Sequence, residues 1–316
     1  MCVALTGGSG FVGSRILQHS LDQGLHVRAL QHSTPLPEHE NLTVISGGLS
    51  DQAALVSLVE GADYVVHCGG SVAQNKKADF FKINEQGTRN IVKAAEDGGV
   101  KKLLYISSMA AREPQISSYA ASKYAGEIAV QESGLQWDII RPPAVYGPGD
   151  QQLLPLMWCL KHRVGVLMGA KKARVSVIYV DDLAGAVGRW LDTASSKQRV
   201  YELGDGQEDG YTWRMLLEQA ADVMSTGPTY VSPHLLFTRA ISYIIKFAGL
   251  LSGVTPFLTP DKIREVSHLD WVCHDTRIET DLDWTPKVNF RDGIERTLRW
   301  YKEENLLRNL NLKDIK

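Results

Sequence analysis

Eight residues near the amino terminus, Thr6-Gly7-Gly8-Ser9-Gly10-Phe11-Val12-Gly13, constrain this chain more than any others. They follow the aliphatic run Val3-Ala4-Leu5 and precede a stretch whose pattern predicts a helix over residues 11–23. Gly7, Gly10 and Gly13 therefore stand where a strand turns straight into a helix. One glycine permits a tight turn, one lets a pyrophosphate approach the backbone, and one lets helix and strand pack closely. The helix end adds free N–H groups and a partial positive charge. The chain has 28 glycines, so the spacing alone would be weak evidence. The strand before it and the helix after it make this a nucleotide turn rather than a structural bend.

The alternation continues downstream. Residues 27–30, 43–46, 64–67, 103–107 and 137–141 are short and aliphatic or β-branched, and read as strands. Residues 51–59, 78–97 and 119–132 lie between them and read as helices. Pro142-Pro143 supply no ladder donors and stop the last of these strands. The rhythm predicts an α/β fold: a Rossmann-type doubly wound parallel sheet with a smaller, mostly helical substrate lobe. The dinucleotide-binding domain is expected over residues 1–150 and 175–205, the substrate lobe over 151–174 and 206–316. The length, 316 residues, suits either one large α/β domain or two lobes sharing a core.

Charge narrows the partners. Lys+Arg number 34 and Asp+Glu 36, for a net charge of −2, so no excess of positive charge is available to displace phosphate counterions and no nucleic acid is expected. Cys2, Cys68, Cys159 and Cys273 form no CxxC pair and no metal-ligand cluster. No metal is expected, and the thiols read as buried groups in a reducing cytoplasm. The sequence begins inside the first expected strand, so no cleavable leader is expected.

At the end of the second strand, Gln31 stands where an acid usually accepts the adenosine ribose hydroxyls. Without a carboxylate to repel a 2′-phosphate, and with Arg28 and His32 nearby, NAD(P) binding tilts toward NADP(H). Further on, Tyr119 and Lys123 are four apart on a helix and share a face. A cation beside a phenol favours the phenolate. Tyr119 then exchanges a proton with a hydroxyl or carbonyl oxygen while hydride moves to or from nicotinamide, and Lys123 can also hold the nicotinamide ribose.

With these motifs in order, the chain resembles the extended short-chain dehydrogenases/reductases over nearly its whole length. The resemblance rests on the glycine turn, Asn84 to Asn90, the serines that end Tyr105-Ile106-Ser107-Ser108, and the Tyr119/Lys123 pair. It rests also on Arg141-Pro142-Pro143-Ala144-Val145-Tyr146-Gly147-Pro148, Tyr179-Val180-Asp181-Asp182 and the ending Leu282-Asp283-Trp284-Thr285-Pro286. It implies that Ser108 hydrogen-bonds the substrate oxygen, Tyr119 is the acid/base, Lys123 tunes it, and Asn84 supports the site. It implies a cofactor set of Thr6, Gly7, Ser9, Gly10, Phe11, Val12, Gly13, Gln31, His32, Leu49, His67, Cys68, Gly69, Tyr119, Lys123, Pro142 and Val145. Two departures stand out: the Ser108–Tyr119 loop lacks the usual insert, and His67-Cys68-Gly69-Gly70 replaces residues closer to His-Ala-Ala. Relatives often dimerise through the helices that correspond to residues 78–97 and 119–132. Lys93, Glu96 and Glu127 on those helices are equally compatible with solvated charges.

Two branches compete. Nucleotide-sugar epimerases and dehydratases of this family usually carry Asn where Ala144 stands, and often Arg where Val175 stands, with Arg174 here displaced by one. On a strand, that shift points the side chain to the other face. Met109-Ala110 after Ser108 supply no acidic pair for elimination. The expectation is therefore hydride transfer on a small apolar alcohol or ketone, as in 3β-hydroxysteroid dehydrogenase-like enzymes. A nucleotide-sugar epimerase/dehydratase and a non-catalytic nucleotide-binding scaffold are the alternatives. Residues 235–258 are strongly apolar, interrupted by Arg239 and Lys246 and by Gly249, Gly253 and Pro256. They read as core helices or as a lid touching a membrane surface, with Leu236, Tyr243 or Phe247 lining the pocket.

Overall fold

A computed structural model of the chain describes residues 1–74, 76–193, 196–232, 259–308, 310 and 312. It divides into two compact units, the first comprising Met1–Pro142, Leu183–Leu203 and Asp275–Thr285. The second comprises Pro143–Asp182, Gly204–His274 and Pro286–Lys316.

The first unit is built on a seven-stranded sheet in the order β11-β6-β5-β4-β1-β2-β3, every pair parallel. Its strands are β1 (Cys2–Thr6), β2 (His26–Gln31), β3 (Leu42–Ser46), β4 (Tyr64–His67), β5 (Lys102–Ile106), β6 (Gln136–Arg141) and β11 (Val200–Glu202). Strand order reverses at β1, so a crevice opens between the carboxyl ends of β1 and β4, where Thr6 pairs with His67. Helices α1 (Phe11–Asp22), α2 (Gln52–Val59), α4 (Gly87–Asp97) and α5 (Ser118–Gln131) flank the strands. Ala4, Leu55, Leu58, Val65, Ile91, Leu103 and Ile139 form one apolar core under them.

The helix expected over residues 78–97 has an unexpected centre. A short helix α3 (Lys77–Phe80) runs into a π-helical turn at Phe81–Gln86 before α4 begins. Such widened turns commonly mark functional positions.

The second unit has its own core, around Tyr146, Leu160, Tyr179, Leu217, Ile294 and Tyr301. Here the boundaries expected from the sequence shift. Residues 144–146 form β7 and pair in parallel with β10 (Val177–Tyr179), which places residues 143–150 and 175–182 in this unit. Conversely, residues 275–285 belong to the first unit. Arg277 donates to the Val200 carbonyl of β11, and Asp281 accepts from Arg199 and from the Tyr201 hydroxyl. β9 (Arg174–Val175) lies between β12 (Tyr211–Thr212) and β14 (Asp270–Trp271). Residues 235–258, with Leu236, Tyr243 and Phe247, lie outside the described residues.

Candidate active site

The glycine turn is shaped by close approach. Gly7 has φ +76°, and a Cβ there would lie 2.7 Å from the Cys68 carbonyl carbon and the Gly69 nitrogen. A Cβ on Gly13 would lie 2.0 Å from the Gly7 carbonyl oxygen, so a side chain at Gly13 would push α1 off the turn. Gly10 caps α1 without a side-chain hydrogen bond, and Ser9 and Gly10 are exposed. The cradle therefore fits a dinucleotide pyrophosphate, open at the top and closed beneath by glycine contacts. Phe11 and Val12 are half-buried on the first turn of α1.

Beside it, the end of β2 is partly taken up by the protein itself. Gln31 Oε1 accepts from the Leu36 N–H at 2.8 Å, and His32 is exposed. Arg28, read in the sequence as a neighbour for a 2′-phosphate, donates instead to the Ser57 and Leu58 carbonyls. A cation is favourable at that helix end, where carbonyls lack partners. Leu49 is held by Asn90, whose Nδ2 donates to the Leu49 carbonyl at 2.7 Å. The Leu49 side chain fills the space beside Gly69 and Gly87.

His67 corrects one expectation. Its ring is fully buried, stacks on Tyr105, and has both nitrogens engaged, so it presents no side chain to a ligand. Burial pushes its pKa down to about 3, so the ring is neutral. The partners fix the tautomer. Thr6 Oγ1 accepts from the Gly69 N–H and lies 2.6 Å from His67 Nδ1, to which its hydroxyl donates when Nε2 carries the ring proton. On the far side, the Thr88 hydroxyl donates to the Asn84 carbonyl, so His67 Nε2–H donates to Thr88 at 2.9 Å. One directed chain of hydrogen bonds thus joins the nucleotide turn to the π-helical turn.

The π-helical turn carries Asn84. Its side chain is fully buried, accepts from the Ser71 N–H, and donates to the Ser71 carbonyl and to Ser122 Oγ on α5. A Cβ on Gly70 would sit 3.1 Å from Asn84 Oδ1 and 3.8 Å from Lys123 Nζ. Cys68-Gly69-Gly70 therefore bridges the glycine turn and the Tyr119/Lys123 helix. Gly126 lets α5 come this close, since a Cβ there would lie 2.7 Å from the Asn84 carbonyl oxygen.

Ser117 caps α5, accepting from the Ala120 N–H, and starts the helix two residues before Tyr119. Tyr119 is half-buried, tilted against Phe80 at 6.1 Å between ring centres. Lys123 is buried, donates to the Ile106 carbonyl at 2.8 Å, and lies over the Tyr105 ring. Burial pushes its pKa down to about 8, against opposing pulls from Cys68 and Glu127. Burial likewise pushes the Cys68 thiol up to about 11. All four cysteines are half-buried over the whole residue rather than fully buried, and none is in a disulfide.

The two serines after β5 separate cleanly. Ser107 is buried and donates to Glu127 at 2.5 Å. Ser108 is half-buried and caps the turn Met109–Arg112. Met109 N–H donates to the Pro142 carbonyl, which holds that turn on β6. Val145 lies on β7 in the second unit, half-buried. Sequence reading missed Glu127, Thr88, Ser122 and Gly126. Only Glu127 left a signal, as the third member of the Tyr119, Lys123, Glu127 ladder at four-residue spacing. Among the described residues no group of side chains suits a metal ion.

Comparison with known proteins places these features. The profile described as the NAD dependent epimerase/dehydratase family matches residues 3–204. A protein named ceramide reductase, from Caulobacter vibrioides, is 32% identical over 306 residues, covering 95% of this chain and 94% of its own. A 3-beta-hydroxysteroid dehydrogenase from Mycolicibacterium neoaurum is 29% identical over 240 residues, covering 65% of this chain and 66% of its own. Among solved structures, MoeE5 in complex with UDP-glucuronic acid and NAD superposes with a TM-score of 0.75 at 18% identity. It covers 96% of this chain and 100% of the other, and shares the fold.

Proposed function

Because the chain belongs to the NAD dependent epimerase/dehydratase family, and so is an enzyme of the extended short-chain dehydrogenase/reductase type, we propose that it moves hydride between a nicotinamide and a hydroxyl or carbonyl of an apolar small molecule. The observation that carries this is the bridge through Cys68-Gly69-Gly70, which puts the pyrophosphate cradle and the Tyr119/Lys123 face at two ends of one short segment. Thr6 to Gly13 hold the diphosphate, Gln31 and His32 meet the adenosine ribose, and Leu49, Cys68 and Gly69 line the path between. Pro142 is assigned to the nicotinamide end. The bound cofactor supplies the hydride acceptor or donor. Ser108 orients the substrate oxygen, Tyr119 gives or takes its proton, and Lys123 supplies the nearby positive charge. Asn84 holds Ser71 and Ser122 in place around them. The absence of an acid at Gln31 favours NADP(H).

The second unit supports the apolar substrate. Val175 is packed in its core, and Arg174 is exposed and donates to the Asp209 carbonyl. Ala144 is exposed on β7 and carries no group for a sugar diphosphate. The relatives named as acting on ceramide and on a steroid point the same way. A homodimer through α4 and α5 completes the proposal, and light scattering at micromolar concentration tests it. No described helix is long and apolar enough to cross a membrane.

The deciding experiment pairs substrate screening with Tyr119→Phe. Turnover of apolar ketones or alcohols with NADPH, abolished in Tyr119→Phe while cofactor binding persists, is expected. Turnover confined to UDP- or dTDP-sugars would overturn the substrate assignment. A Tyr119→Phe enzyme with wild-type kcat would overturn the chemistry.

A further inference from the structure

Behind the Tyr119/Lys123 face lies a buried cluster of charges that the proposed chemistry does not use. Glu127 is one turn beyond Lys123 and two beyond Tyr119 on α5, and it is fully buried. Its two oxygens take a two-pronged bond from Arg141 on β6, Nε at 2.9 Å and the terminal nitrogen at 2.6 Å. The same Oε1 accepts from Ser107 at 2.5 Å. Arg141 also lies 3.7 Å from Glu202, and Glu202 lies 3.4 Å from Arg112, the last residue of the turn after Ser108. Ser108 is thus held on both sides: Ser107 by Glu127, and Arg112 by Glu202. Arg141 links the two carboxylates.

We propose that Glu127 is a positioning residue, which fixes the Ser107–Arg112 segment against α5 and places a negative charge beneath Lys123. This rests on the reading of Tyr119 and Lys123 as the reacting pair. Expected as a solvated charge, Glu127 has no water to face. A buried carboxylate is retained only where partners compensate it, and here each compensating partner borders the site. Among the described residues, the titratable groups that act on Lys123 are Glu127 from its own helix, His67 and Cys68 from the end of β4, and the Tyr105 ring from β5; Tyr119 lies one turn before it on the helix. Of these, only Glu127 is a carboxylate, gripped by Arg141 and Ser107.

Glu127→Gln keeps the shape and removes the charge. In the full-length protein, nitrogen-15 NMR of the Lys123 ammonium should show its titration midpoint lowered by about one pH unit. The kcat for an accepted ketone should fall about 10–100-fold, with NADPH affinity within about threefold. Arg141→Lys keeps the charge but loses the two-pronged grip. It should lower kcat similarly and leave the Lys123 midpoint within about 0.3 pH units. A Lys123 midpoint unmoved in Glu127→Gln overturns the proposal, whatever happens to kcat. Should Glu127→Gln fail to fold, Ser107→Ala removes one contact without a charge, and wild-type kcat in that variant is equally fatal. Tyr119→Phe run alongside keeps the two ideas apart. Retained turnover there would sink the reading of the pair, while the Lys123 midpoint still reports on Glu127.

Discussion

Two buried lysines bracket β5. Lys102 is its first residue, and Lys123 donates to the carbonyl of Ile106, its last. Both lie over aromatic rings, Lys102 over Tyr64 and Trp190, Lys123 over Tyr105. In both, burial pushes the pKa down to about 8. Their surroundings differ. Lys102 gives its donors to the Trp190 carbonyl, the Thr193 carbonyl and the Thr193 hydroxyl, closing the carboxyl end of α7 (Val180–Asp192). Lys123 has Gly70, Asn84 and the Tyr119 helix face around it. A depressed lysine pKa therefore marks burial, and only the reach of the ammonium toward a reactive partner marks chemistry. The proposed chemistry lies at the carboxyl edge of the sheet, and the amino edge holds a helix end.

Exchanging the two lysines for methionine is the hardest test of that contrast. Lys123→Met should lower kcat by about 10²–10⁴-fold and weaken cofactor binding, because charge and ribose contact go together. Lys102→Met should leave kcat within about threefold and lower unfolding free energy by about 1–3 kcal/mol, since the α7 carbonyls lose their donor. Steady-state kinetics and urea melts on both variants decide it. A Lys102→Met enzyme that loses turnover but not stability would erase the distinction.

The pH dependence of stability sharpens it further. Lys102 titrates near 8 when folded and at its ordinary 10.5 when unfolded. Between those values the unfolded chain binds more protons, so this lysine makes stability rise with pH across that window. Below about pH 8 its contribution is flat. Wild type should gain about 1–2 kcal/mol over Lys102→Met between pH 7.5 and 9.5, read by paired urea melts. An equal response in both proteins would show that Lys102 keeps its proton.

The smallest effect concerns the cofactor. Gln31→Asp should move the ratio of NADPH to NADH affinity about fivefold toward NADH through repulsion of the 2′-phosphate. Fluorescence titration with both nucleotides reads it, and an unchanged ratio would place the ribose elsewhere.

What the sequence discloses follows from distance along the chain. The glycine turn and the Tyr119/Lys123 spacing are local, so their geometry is set by residues that are covalent neighbours. The role of His67 depends on Thr6 and Thr88, one on another strand and one on α4. Arg28 looked suited to a phosphate until α2 brought it carbonyls. Glu127 carried the right periodicity, yet a carboxylate on a helix reads as solvated until β6 delivers Arg141. The π-helical turn at Phe81–Gln86 has no signature in hydrophobic period, because the bordering residues keep a helical pattern. Each unit is assembled from three stretches of chain, so the boundaries between the units were the least legible.

The position of β9 bears on how this protein could change its trade over evolutionary time. Arg174 and Val175 are paired on both sides, antiparallel to Thr212 and Tyr211 and parallel to Asp270 and Trp271. A slip that carried Arg174 to the other face would break both ladders at once. The alternative, Val175→Arg, would plant a guanidinium among Tyr179, Tyr211 and Leu217 in the core of the second unit. Either route to a sugar-diphosphate contact at this strand passes through an unstable ancestor. Drift at this strand is thereby opposed by folding, whatever the substrate.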